Sequence, residues 1–99
     1  MHAVLIEVDV SGVDPEAGLK GLQEQIVPAI RSLPGFCSGT WLTGNQDGLG
    51  LSLTVWDTQQ QAEAMANTFG PGSSPQAGAT VRRCEIREVA DTASASSLR

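Results

Sequence analysis

Between Ala3 and Val10 the apolar residues recur at every second position. Val4, Ile6, Val8 and Val10 alternate with Leu5, Glu7 and Asp9. A period of two predicts a strand, and Leu5 on the second parity predicts that part of the other face is also covered. Ser11-Gly12 ends the run. From Asp14 the period changes to steps of three and four through Leu19, Leu22, Ile26, Ile30 and Leu33, one apolar stripe of a helix. Asp14 can accept a bond from a free backbone N–H, and Pro15 suits the first helical position, where no donor is needed. Pro28 removes one ladder bond, so the helix is expected to kink or to lose its regularity there. Pro34-Gly35 closes the segment.

Phe36 to Thr43 returns to a period of two, with Phe36, Thr40 and Leu42 on one side and Cys37, Gly39 and Trp41 on the other. Leu49 to Trp56 alternates Leu49, Leu51, Leu53 and Val55 with Gly50, Ser52, Thr54 and Trp56. The intervening Gly44-Asn45-Gln46-Asp47-Gly48 is turn chemistry, so the two runs form a hairpin. Asp57-Thr58 then caps a second helix, with Gln60 or Gln61 completing a capping box and Ala62, Met65, Ala66 and Phe69 forming its buried stripe. Gly70 to Pro75 stops that helix in a loop expected to move. Thr80 to Val89 is a last strand whose parity fails midway; a bulge near Arg82-Arg83 restores it, and the charges suit a sheet edge. The domain is expected to span 1–90, and the Ser- and Ala-rich stretch 91–99 is expected to be a disordered tail.

Strand, helix, strand, strand, helix, strand is the split β-α-β order. The fold class is therefore α+β, a ferredoxin-like βαββαβ antiparallel sheet with two helices on one face. Both parities of the first three strands carry apolar residues, yet two helices shelter only one sheet face. A second copy is the expected cover for the other, giving a homodimer paired through sheet faces, a dimeric α+β barrel.

At 99 residues the chain is one domain with a thin core. Hydrophobic residues at 40% exclude a disordered class, and charged residues at 17% fall below the usual roughly 25%, consistent with a surface that something covers. A net charge of -5 argues against nucleic acid as a partner. Arg82, Arg83 and Arg87 stand among Glu85 and Glu88 and read as a mixed charged face. The opening run of apolar residues is too short to span a bilayer and has no leader pattern, so no membrane is expected. Cys37 and Cys84 lack metal-ligand spacing and lie on strands at opposite sheet edges. They are expected to be free thiols in a reducing cytoplasm, with no metal and no cofactor.

Two short segments carry a resemblance. Ser32-Leu33-Pro34-Gly35-Phe36, opening a strand after a helix, and Val55-Trp56-Asp57-Thr58, leading into one, resemble the antibiotic-biosynthesis-monooxygenase-like domains. The likeness covers roughly residues 2 to 90 and implies the dimeric α+β barrel. It also implies a choice of activities: cofactor-independent oxidation of aromatic polyketides, haem degradation, or none known. The haem-degrading members share an Asn on the first strand and a Trp and a His on the second helix. Here those positions fall on Leu5 or Ile6, near Met65, and on no histidine at all, since His2 is the only one. Haem degradation is therefore not expected.

The candidate pocket residues are Leu5, Glu7, Trp41, Ser52, Thr54, Trp56, Met65 and Phe69. Trp56 is either a packing residue at the strand-to-helix corner or a cavity wall, and Trp41 is core, pocket lining or dimer contact. Ser52 and Thr54 share a parity with Trp56 and offer hydroxyls. Glu7 and Asp9 share a parity as well, but residues two apart on a strand are ~6–7 Å from each other, and both are expected to be solvated. Glu7 is a neighbour for Arg82 or Arg83. No histidine stands near either cysteine to make it a nucleophile, and His2 is expected to be exposed. The function expected from the residues is the binding of a small hydrophobic or aromatic molecule between sheet and helices. The alternative, implied by the resemblance alone, is a cofactor-independent monooxygenase acting on an aromatic or polyketide-like substrate.

Overall fold

The computed structural model describes residues 1–95. Strand β1 (His2–Asp9) is followed by α1 (Pro15–Gly21), a π-helical turn (Leu22–Ile26), α2 (Val27–Arg31), β2 (Phe36–Leu42), β3 (Leu49–Trp56), α3 (Gln59–Thr68) and β4 (Thr80–Glu88). The four strands form one antiparallel sheet in the order β2-β3-β1-β4, the ferredoxin-like arrangement. Residues 96–99 of the expected tail lie outside the described residues.

The first helix starts where its sequence says it should. The Asp14 carboxylate accepts from Ala17 N–H at 3.0 Å, and Pro15 takes the first position. Pro28 does not end the helix. The turn before it widens instead, and Val27 N–H donates to the carbonyl of Leu22, five residues back. A π turn relaxes the clash between a proline ring and the preceding turn. It also inserts one residue into the helical phase, about 100° of rotation. The sheet-facing line therefore runs through Ile30, Ile26, Leu22 and Gly18, with Ile30 and Gly18 buried. The expected stripe is corrected at its ends: Leu19 and Leu33 are exposed. A Cβ on Gly18 would fall on Val13 Cγ1, so the helix packs against the loop that precedes it only because position 18 has no side chain.

The second helix carries a complete capping box. Thr58 Oγ1 accepts from Gln61 N–H, and Gln61 Oε1 accepts from Thr58 N–H, each at 3.2 Å. It buries Ala62 and Met65. The loop after it is tied to β4: Gly72 N–H donates to Val81 O at 2.9 Å, and Val81 N–H donates to Ser73 O at 2.8 Å. Farther along, Gly78 takes φ 84° where it meets the backbone of Gly12.

Two bulges set the faces of the sheet. Glu7 pairs with Arg83 but Val8 pairs with Val81, so Arg82 is the extra residue, and Val81 joins Cys84 and Ile86 on the helix side. This is the irregularity the charged pair suggests. The second lies where no sequence signal marks it. Phe36 pairs with Trp56 but Ser38 pairs with Val55, so Cys37 is extra. Phe36 thereby shares a face with Gly39 and Trp41, not with Thr40 and Leu42 as strict alternation predicts. It meets Trp56 edge to face, with centroids 5.6 Å apart.

Candidate functional site

The helix-side face of the sheet is organised in rows across the strands. One row is Trp41, Ser52, Ile6 and Cys84, the next toward the α3 end is Gly39, Thr54, Val4 and Ile86, and below lie Gly50, Val8 and Val81. In β3 the inward set is Gly50, Ser52, Thr54 and Trp56, and the outward set is Leu49, Leu51, Leu53 and Val55. A half-buried strand ordinarily turns its larger apolar side chains inward. Here the small residues face the helices and the leucines face away. The space that leucines would fill becomes a groove.

The groove has a volume of about 100 Å³ and reaches down to Ile6, Ser52 and Val81. Ile26 and Ile30 form its helical wall, Met65 and Phe69 come from α3, and Pro75, Gln76 and Ala79 of the connecting loop stand at its side. Gln76 is held there by its Nε2, which donates to the carbonyl of Gly18 at 3.4 Å. Trp41 lies over Gly39, whose missing side chain makes room for the indole: a Cβ there would be 2.6 Å from Cη2. The lining is overwhelmingly apolar, and among its residues none is titratable.

A second depression, about 330 Å³, lies between the end of α2 and α3, beside Leu33, Pro34, Trp56, Gln60 and Thr68. It is the larger of the two, but most of its lining is exposed, with Trp56 and Met65 buried and Gln61 half-buried at its floor, so it is a valley in the helical surface. The groove at Ser52 penetrates the core and is the stronger candidate.

The structure brings together Trp41, Ser52, Met65 and Phe69 of the residues singled out in the sequence. Thr54 and Trp56 share their face but are engaged with each other and stand outside the groove lining. Leu5 and Glu7 lie on the opposite face of the sheet, where they pair with Leu53 and Leu51. That assignment is corrected by the topology: the helices cover the even-numbered positions of β1, and a side chain at an odd position cannot reach them. Ile26, Ile30, Gln76 and Val81 were not singled out as pocket residues, although the unusually small alternate positions of β3 mark where room would be.

The face away from the helices is apolar along its middle and charged along one side. Leu53 and Leu42 are 41% and 57% exposed, with Leu5, Leu49, Leu51 and Val55 half-buried around them. On β4 the carboxylate of Glu85 bridges Arg83 at 3.5 Å and Arg87 at 3.1 Å, which holds its carboxyl below the ordinary range, the hydrogen bond from Arg87 being the main cause. Asp9 is likewise lowered, chiefly by the Ser11 hydroxyl at 2.6 Å, with Arg82 at 3.6 Å contributing.

The thiols are free, and each is pushed up. The Cys37 Sγ donates to Asp57 Oδ1 at 3.1 Å, and that bond to a carboxylate is the main cause; burial is the cause at Cys84. A raised thiol is a poor nucleophile at neutral pH. His2 is half-buried, contrary to expectation, because it pairs with Trp56 on the helix side; its Nδ1 has no partner, and its Nε2 stands 4.0 Å from Glu88. Among the described residues no three His, Cys, Asp or Glu side chains converge as a metal site, and no helix is long and apolar enough to cross a membrane. No family model matches the chain, and neither a curated protein nor a solved structure is similar to it.

Proposed function

We propose that this chain works as a homodimeric α+β barrel and that the groove between its sheet and helices binds a small hydrophobic or aromatic molecule. The observation that carries the reading is the inverted size pattern of β3. Gly50, Ser52 and Thr54 face the helices, while Leu49, Leu51 and Leu53 face away. One strand thus supplies both the apolar recess and the uncovered leucine surface. Pockets for small molecules are mostly apolar with few polar groups, as this groove is. Burying the outward leucines against a second copy removes them from water, and two-fold pairing is the commonest way to do so.

Cofactor-independent oxygenation of an aromatic substrate rests on the resemblance at Ser32–Phe36 and Val55–Thr58. The groove lining offers no side chain to take a substrate proton, so such chemistry would depend on the acidity of the substrate itself. Binding is the reading the geometry favours.

The experiment is a titration with single-ring aromatic probes, followed by backbone amide shifts. Saturable changes at Ser52, Met65 and Ala79, with no oxygen consumption, support binding. Oxygen uptake with turnover replaces it by the oxygenase. No change at the groove refutes both. Light scattering on the same sample should give about twice the chain mass.

A further inference from the structure

Ser52 is the one hydroxyl in a row whose other members are Trp41, Ile6 and Cys84. It is 93% buried by area (7% exposed), and it lines the groove. Thr54, the next inward residue on β3, accepts the indole proton of Trp56, so it is turned toward that partner. The inward position on the other side is Gly50, which has no side chain. Among the described residues the Ser52 hydroxyl makes no hydrogen bond, and it is not among the side-chain atoms sealed from the surface without a partner. A hydroxyl so deep in apolar surroundings, unpartnered and facing a recess, is a group that a bound molecule can satisfy.

We propose that Ser52 Oγ is the polar anchor of this groove, and that the molecule it holds is uncharged, with one oxygen that hydrogen-bonds to it at the deep end. The proposal rests on the groove being a binding site. The lining supplies no charged side chain. A carboxylate or ammonium entering it would lose its hydration with nothing in return, whereas a neutral hydroxyl or carbonyl needs only one partner. The volume limits the size. A dry apolar cavity of about 150 Å³ accepts benzene. At about 100 Å³ this open-sided groove takes one ring edgewise, polar atom inward, and leaves its rim exposed. Phenols and similar small neutral alcohols or ketones are the class described.

The test compares phenol, toluene and benzoate on the wild-type chain and on Ser52→Ala, with binding read from groove amide shifts at about neutral pH. Phenol and toluene share size and shape and differ in the oxygen. Ser52→Ala should weaken phenol about fivefold and leave toluene unchanged, the effect expected for one neutral hydrogen bond in a buried site. Ser52→Thr, which keeps a hydroxyl, should retain the wild-type ratio of phenol to toluene affinity. Benzoate should bind the wild-type chain more weakly than phenol by at least about tenfold. Equal loss of phenol and toluene in Ser52→Ala overturns the anchor alone, and benzoate binding as well as phenol overturns the uncharged class. If none of the three probes moves the groove resonances of the wild-type chain, the binding reading fails and the anchor falls with it.

Discussion

The indole N–H of Trp56 donates to the hydroxyl oxygen of Thr54 at 2.9 Å, two residues back along the same face of β3. Both residues are fully buried, so this bond satisfies a donor that water cannot reach. Thr54→Val keeps the shape and removes the acceptor. It is expected to cost about 1–3 kcal/mol, the penalty for leaving a buried donor unpaired. Thr54→Ser keeps the oxygen and should cost about 1 kcal/mol for the lost methyl. Denaturant midpoints decide it: a valine variant as stable as the wild-type chain would mean the bond contributes nothing.

Gly18→Ala sets two effects against each other. Alanine is favoured over glycine in a helix interior by about 1 kcal/mol. The new methyl, however, lands on Cγ1 of Val13, a β-branched side chain with little freedom to turn away. Overpacking of this kind costs about 1–3 kcal/mol. The net expectation is a lower melting temperature. A rise would show that Val13 gives way easily.

Leu53→Lys places a charge at the centre of the uncovered sheet face. If two copies meet there, the scattering mass falls to that of one chain while the circular dichroism spectrum is retained. Val8→Lys is the contrasting variant, because Val8 packs against the core on the helix side. It should lower the denaturant midpoint, which Leu53→Lys should leave nearly unchanged. An undiminished dimer in Leu53→Lys would move the interface elsewhere.

The exposed Cys37 should alkylate more slowly than a cysteine in an unstructured peptide at mildly alkaline pH, because its hydrogen bond to Asp57 keeps it protonated. Asp57→Asn removes the carboxylate and should raise the rate toward the peptide value. Timed alkylation read by mass spectrometry distinguishes this from simple shielding, which the substitution would leave in place.

The carboxyls of Asp9 and Glu85 titrate below their ordinary values of 3.8 and 4.5. A carboxyl lowered in the folded state stabilises it fully above the ordinary value, and that contribution is lost as the pH falls through the lowered one. Stability should therefore begin to fall below about pH 4.5 and continue downward, and Glu85→Gln should flatten part of that slope. Carboxyl resonances that titrate at their ordinary values would show that the Arg87 and Ser11 contacts do not hold in solution.

Much of this architecture is visible in the residues themselves. The change of period at Asp14, the hairpin around Asn45-Gln46-Asp47 and the Thr58 cap are local signals that local hydrogen bonding reproduces, and the bulge at Arg82, signalled by the failed parity of β4, appears in its pairing with β1. That both parities of β3 are usable faces is likewise apparent from Leu49 to Trp56. Trp41, Ser52, Met65 and Phe69 could be picked out because each sits at a definite parity or helical step.

What only the tertiary structure decided is which parity the helices cover. Hydrophobicity alone would turn Leu49, Leu51 and Leu53 of β3 inward, while on β1 it favours Val4, Ile6 and Val8 over Leu5 and Glu7. The hairpin and the pairing of β1 with β3 turn Gly50, Ser52 and Thr54 inward instead. The extra residue at Cys37 re-aims Phe36, and the π turn before Pro28 rotates Leu19 out and Gly18 in. Period and capping act over a few neighbours, so the chain order carries them. A face is chosen by how distant segments pack together, and a one-residue slip in strand or helix reverses or rotates it without changing any local preference.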